Sequence, residues 1–254
     1  MRAMNDMTEG LAQKERVEQT FSRYVAPQVA KEVLRDTAPS GAVGRNVVAS
    51  VLFADIFGFS ALAERMSAKE VNAVLNEYFG YIARIVDACH GHIDKYIGDC
   101  VMAVFGVPEP DPLHARHALE CAALIQYLVV TLNTRRKAQG QAVLMFHVGI
   151  NSGAMLAGNI GAADRMEYTV MGREVNVAAR LSSSAKPGQI LLSDATYDAL
   201  RGTGPIQCQP HGRIVLRGTT QPVMTYSALL DAAGHEDFIR ARLEPLLRPQ
   251  EAVP

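Results

Sequence analysis

Apolar residues along the chain recur with two periods, and their alternation divides it into elements. Val47 to Ala54 is a nearly continuous apolar run of strand length, the pattern of a strand covered on both faces. Ser67 and Glu70 have the spacing of a capping box and open a helix with a stripe from Val71 and Val74 through Tyr78 and Ile82 to Val86. Gly91 reads as its end, and HIDKYIGDCVMAVFG follows as a strand, a glycine turn at Ile97-Gly98-Asp99, and a second strand. A second helix runs from Ala115 past Leu132 and closes on Arg135, Arg136 and Lys137, where the macrodipole favours cations. Val143 to Asn151 is a further strand, followed by the glycine-studded NSGAMLAGNIGAADR. A short β segment at Glu167–Met171, a helix over 173–185, a strand at Gln189–Ser193, a helix at Ala195–Leu200 and a β-rich end over Ile206–Leu229 complete the pattern. The order β-α-β-β-α-β fits an α+β domain with helices on one face of a mostly antiparallel sheet.

Ahead of this core, Val17, Phe21, Tyr24, Val25, Val29 and Val33 keep helical spacing, interrupted by Pro27, so the segment reads as helix, turn, helix. Thr37 to Gly44 is a Pro/Gly/Ser linker. The expected plan is a flexible N-terminus over 1–14, a helical linker over 15–44, one domain over 45–230, and a charged tail over 231–254.

Composition narrows the function classes. A net charge of −1, from 25 basic and 26 acidic residues, leaves no broad electrostatic footprint for nucleic acid. No apolar run reaches membrane-spanning length, and the N-terminus lacks the apolar core of a signal peptide. Cys89, Cys100, Cys121 and Cys208 show no paired spacing, which fits reduced, half-buried thiols and a cytoplasmic location.

Candidate chemistry begins with two strand-end carboxylates, Asp55 and Asp99. Each either caps its own turn or, as a hard oxygen ligand in an apolar setting, holds a divalent metal. Phe57-Gly58-Phe59-Ser60 is a turn into a helix whose backbone N–H groups are free to meet phosphate oxygens. Asn176 and Arg180 stand four apart on one helix, and such a pair either forms a solvated face or holds a ribose and a phosphate. Lys95 and Thr169, taken singly, are ordinary surface residues. The seven histidines lack a third ligand at metal spacing and are expected to cap or to lie on the surface.

VLFADIFGFSALAERM, HIDKYIGDCVMAVFG, FHVGINSGAMLAGNIG and RMEYTVMGREVNVAARLSSSAKPG together resemble the class III nucleotidyl cyclase catalytic domain, in the family's order and spacing, over roughly residues 47–230. The resemblance implies a ferredoxin-like (βαββαβ) palm-type domain with extra C-terminal β elements. It implies two Mg²⁺ (or Mn²⁺) ions per site, held by Asp55, Asp99 and the backbone of Ile56. Asn176 would orient the ribose, Arg180 would stabilise the transferring phosphoryl group, and Arg217 in IVLRG would contact the triphosphate. Lys95 and Thr169 would read the purine. Lys95 only donates, matching adenine N1, and Thr169 can accept from N6, so ATP is the expected substrate and cyclic AMP the product. The alternatives are a guanylyl or dual-specificity cyclase and a non-catalytic nucleotide-sensing module. Thr169, in place of the commoner Asp, resembles a bacterial subgroup often stimulated by bicarbonate. Phe57 stands where many members have Arg, and Arg173 where many have Asp. The family's solution is a homodimer with shared sites, and EQTFSRYVAPQVAKEVL resembles the segment that follows an upstream sensor or membrane region.

Overall fold

The computed structural model describes residues 26–35, 44–162, 164–200, 204–215, 222–230 and 235–247. In chain order the elements are α1 (Pro27–Arg35), β1 (Arg45–Ile56), α2 (Phe59–Ala63), α3 (Ala68–Ala88), β2 (Gly91–Ile97), β3 (Cys100–Phe105), α4 (His114–Ala138) and β4 (Phe146–Ala162). There follow β5 (Arg165–Met171), α5 (Arg173–Ser184), β6 (Ile190–Ser193), α6 (Asp194–Leu200), β7 (Gln207–Ile214), β8 (Val223–Leu229) and α7 (His235–Leu247).

The strands form an eight-stranded sheet in the order β2-β3-β1-β4-β6-β8-β7, with β5 paired to β4. β2, β3, β1 and β4 are antiparallel neighbours, the ferredoxin-like arrangement of a palm-type α+β domain. β6 joins β4 in parallel, and β8 and β7 extend the sheet.

β1 is central because its alternate residues feed two cores. Leu52, Ala54 and Ile56 belong to the large cluster formed with α3 and α4, where Tyr78 stacks on Phe146 at 5.6 Å. Ala49, Val51 and Phe53 point the other way and pack with Met102, Val104, Met155 and Ala178 of α5. Full burial of one such aliphatic or aromatic side chain contributes roughly 1.5–3 kcal/mol, so both faces of β1 hold the domain together. Ser67 caps α3 in a reciprocal capping box with Glu70, as the spacing predicts.

Two local expectations resolve differently. The helix stop is His90, in the left-handed region at φ 59°, and Gly91 instead begins β2. A Cβ at Gly91 would lie 2.5 Å from the Phe105 ring, so that glycine answers to packing. The glycine-studded stretch after Asn151 is not a break, since β4 runs on unbroken to Ala162. Its glycines answer to close approach as well: a Cβ at Gly158 would lie 2.6 Å from Gly44 Cα.

Of the expected N-terminal helix pair, the first lies outside the described residues and the second is α1. The segment read as a tail contains α7. Ile239 and Leu243 of that helix are buried in the large core, and Arg242 pairs with Glu120 of α4. Glu120 also accepts from Arg116 Nε at 2.8 Å, so this buried carboxylate has two cationic partners.

α5 lies almost directly on β4. A Cβ at Gly149 would come within 2.1 Å of Ser182 N and 2.4 Å of Ala178 O. Two residues on, Asn151 donates to the Glu174 backbone oxygen at 2.9 Å and to its Oε2 at 2.7 Å. Gly149→Ala must therefore push helix from strand, and we expect a loss of about 1–3 kcal/mol, read as a lower midpoint in urea unfolding, with the far-UV spectrum of the folded state retained.

Candidate active site

Register assigns the side chains of β1 to faces. Asp55 is two residues beyond Phe53 and shares its face, which is the face covered by α5. Phe53 pairs with Met102 across β1 and β3, and Met102 pairs with Lys95 across β3 and β2, so Lys95 points to that face too. Asp99 sits in the turn that joins β2 to β3.

Asp55 and Asp99 come together. Burial raises the Asp99 pKa first, and the neighbouring Asp55 charge raises it further. The Cys100 thiol, half-buried next to both, is pushed up to about 12 by desolvation and then by the two carboxylates. Opposed, partly buried carboxylates are unfavourable without a cation between them, and this donor set fits a divalent ion with oxygen preference. Ile56, whose backbone is the third expected ligand, is buried at the end of β1.

His147 belongs to this cluster and was not singled out by the sequence. It lies directly opposite Asp55 across β1 and β4, with Nε2 3.3 Å from Asp55 Oδ2. Nδ1 lies 3.2 Å from the Ala185 carbonyl oxygen, which can only accept, so Nδ1 carries a proton. Burial alone would lower the His147 pKa, but the Asp55 carboxylate and the Ala185 and Ser182 backbone outweigh it and raise the value. Imidazolium is thus the form that suits both contacts. Only strand register reveals this residue; its spacing to other histidines carries no signal.

Phe57 is exposed, and its ring meets His147 edge-on at 6.0 Å. Gly58 takes the left-handed conformation (φ 69°), which lets β1 turn straight into α2. It offers no side chain to the first-turn N–H groups. Phe59 is buried as an anchor, and Ser60 is exposed.

A second cluster forms where the β4–β5 ribbon meets β2. Thr169 Oγ1 donates to Asp94 Oδ2 at 2.8 Å, and Lys95 Nζ lies 2.6 Å from Glu167 Oε2 and 3.5 Å from Asp94 Oδ2. Burial would lower the Lys95 pKa, but Glu167 and Asp94 raise it, so its ammonium is secured. A β-bulge between Ile93 and Lys95 makes the cluster possible. In a regular strand Asp94 and Lys95 would face opposite sides; the extra residue lets both serve one.

Asn176 is exposed and Arg180 half-buried on α5, while Val177, Ala178, Leu181 and Ser182 of the same helix are buried. Among the described residues neither Asn176 nor Arg180 has a hydrogen-bonded or ion-paired partner, so both are available to a ligand. Arg217 lies outside the described residues. The structure therefore brings Asp55 and Asp99 together with His147, and Lys95 and Thr169 together with Asp94 and Glu167, all within one chain.

Known proteins resemble this chain in sequence and in fold. Uncharacterized proteins of Mycobacterium tuberculosis and Mycobacterium bovis are each 35% identical over 223 residues, covering 87% of this chain and 40% of theirs, so the chain spans about two fifths of the length of these relatives. The crystal structure of the adenylyl cyclase CyaB from P. aeruginosa superposes with a TM-score of 0.70 at 36% identity, over 73% of this chain and 95% of that one. The guanylyl cyclase Cya2 gives 0.67 at 30% identity, over 73% and 93%. Residues 44–229, which contain both clusters and α5, match the adenylate and guanylate cyclase catalytic domain, and the chain belongs to that family.

Proposed function

We propose that the chain converts ATP to 3′,5′-cyclic AMP and pyrophosphate at two sites shared across a homodimer. The observation that carries this reading is the meeting of Lys95 and Thr169 at Asp94, on a sheet face that also bears Asp55. An ammonium group only donates, which suits adenine N1 and opposes the N–H of guanine at that position. Thr169 has lone pairs for the N6 amino group.

In the reaction the ribose 3′-oxygen attacks the α-phosphorus, the bond from that phosphorus to the bridging oxygen breaks, and pyrophosphate leaves while the hydroxyl proton passes to solvent. Asp55, Asp99 and the Ile56 carbonyl would hold two Mg²⁺ or Mn²⁺ ions, which when bound polarise the 3′-hydroxyl and offset triphosphate charge. Asn176 holds the ribose through its amide. Arg180 donates from its planar fork to the phosphoryl oxygens as charge builds there. The Phe57–Ser60 turn lies along the phosphates, and Arg217 is assigned to the triphosphate from its place in IVLRG.

Lys95 and Asp99 lie four residues apart on one hairpin, too close for opposite ends of a single nucleotide. Asp55 and Asp99 of one subunit are therefore set against Lys95, Thr169, Asn176, Arg180 and Arg217 of the other. Tyr96 and Ile97 on the hairpin and Met166 and Met171 on β5 are exposed apolar residues, which supports a face covered in the dimer. Among the described residues no helix is long and apolar enough to cross a membrane. For the whole protein we propose an upstream sensor or membrane region, from the likeness of EQTFSRYVAPQVAKEVL, bicarbonate stimulation, from Thr169, and a cytoplasmic site of action, from the unpaired cysteines; the relatives, of which the chain spans about two fifths, have length for such a region.

Three outcomes are expected. Incubation with ATP or GTP, under Mg²⁺ or Mn²⁺ and with or without bicarbonate, should yield cyclic AMP from ATP; cyclic GMP alone, or no cyclic product from ATP, overturns the assignment in favour of a guanylyl cyclase or a non-catalytic module. Mixing Asp55→Ala and Arg180→Ala proteins should restore about a quarter of wild-type turnover, since half the dimers then carry one intact site; a mixture as inactive as its parents after confirmed exchange removes the shared site. Mg²⁺ at about ten times its dissociation constant should stabilise the wild type by roughly 1.4 kcal/mol, a few degrees in melting temperature, and Asp99→Asn should abolish that shift.

A further inference from the structure

Threonine is by itself a poor discriminator of purines. Its hydroxyl has one proton and two lone pairs, so it can accept from the amino group of adenine or donate to the carbonyl oxygen of guanine. The surroundings of Thr169 remove that freedom. Its Oγ1 lies 2.8 Å from Asp94 Oδ2, and an ionised carboxylate only accepts, so the hydroxyl proton lies between the two. Asp94 is fully enclosed at its side chain and Thr169 is buried, which leaves no water to offer the proton another acceptor. Burial raises the Asp94 pKa, while the Thr169 hydroxyl and the Lys95 ammonium, 3.5 Å from the same carboxylate oxygen, act against that rise; in either protonation state Oδ2 keeps a lone pair for the Thr169 proton. Among the described residues Asp94 Oδ1 has no hydrogen-bond partner, an expensive arrangement for a group whose only task is structural.

We infer that Asp94 is the specificity-determining positioning residue of the nucleotide site: by holding the Thr169 proton it turns that hydroxyl into a fixed acceptor, which welcomes the 6-amino group of adenine and repels the 6-carbonyl of guanine. Selectivity at the 6-position then resides in a residue that touches no base, beside the choice that Lys95 makes at N1. The bulge at Ile93/Lys95 is what aims Asp94 at Thr169 while Lys95 stays on the same face. The inference rests on the adenine-reading role given to Lys95 and Thr169 above.

Asp94→Asn tests it, because the amide can donate to Thr169 Oγ1 and release the threonine proton outward. The full chain is assayed with ATP, GTP and purine riboside triphosphate, which lacks the 6-amino group. In the wild type, kcat/KM for ATP should exceed that for the purine riboside compound by about tenfold, the size of one hydrogen bond. In D94N that difference should vanish and the ATP/GTP ratio should fall by about tenfold or more. Thr169→Val should reproduce the loss on ATP, and D94N added to it should leave the ratio of ATP to the purine riboside compound where T169V puts it, since a factor common to all three nucleotides reports the Asp94–Lys95 contact instead. If D94N does not fold, D94A, which frees the hydroxyl to rotate, reads the same ratios. A D94N protein whose ratios among the three nucleotides equal those of the wild type, or additivity with T169V in the ratio of ATP to the purine riboside compound, overturns the inference and leaves the ATP assignment standing. A wild type that prefers GTP overturns both.

Discussion

The seat of α5 on β4 is the contact from which the rest of the site takes its position. A helix can approach a strand this closely only where backbone replaces side chains, and Gly149 supplies that gap between β4 and the Ala178–Ser182 turn. Asn151 then ties the first turn of α5 to the same strand through Glu174. Asn176 and Arg180 therefore have fixed height and rotation over the sheet, although neither is itself held by a neighbour among the described residues. Rigid placement of side chains that are free at their tips is what charge stabilisation at a transferring phosphoryl group requires.

Electrostatics divides the face into two regions with opposite needs. At the β1 end, two carboxylates repel each other, and a backbone hydrogen bond to Asp99 and the His147 ring offset them in part. At the β2 bulge, a cation sits among acids and is fully compensated. In the dimer proposed above, the first region would take a divalent cation in one site and the second a purine in the other, so that one chain would serve two nucleotides.

Much of this was legible in the sequence, for identifiable reasons. The apolar run of β1, the capping box at Ser67 and the hairpin glycine report local physics, and local physics decided those elements. Strand alternation and a family resemblance were enough to single out Asp55, Asp99, Lys95 and Thr169. What escaped was non-local. His147 matters because of the residue facing it on another strand. Gly91 reads as a helix stop because glycine has two uses, conformational freedom and absence of bulk, and sequence does not say which applies. The helix at α7 was hidden by its charges, one of which, Arg242, reaches a buried partner on α4 that lies far away in the chain.

The bulge in β2 sets a phase. Every side chain from Lys95 to the hairpin tip owes its facing to one extra residue, counted from Ile93. Insertions in the loop before α4 leave that count untouched, and loss of the extra residue, Asp94, would leave Lys95 opposite Met102 but remove the carboxylate that Thr169 and Lys95 share. The hairpin is in this sense written in a frame, its facing set by a count of residues as much as by their kind.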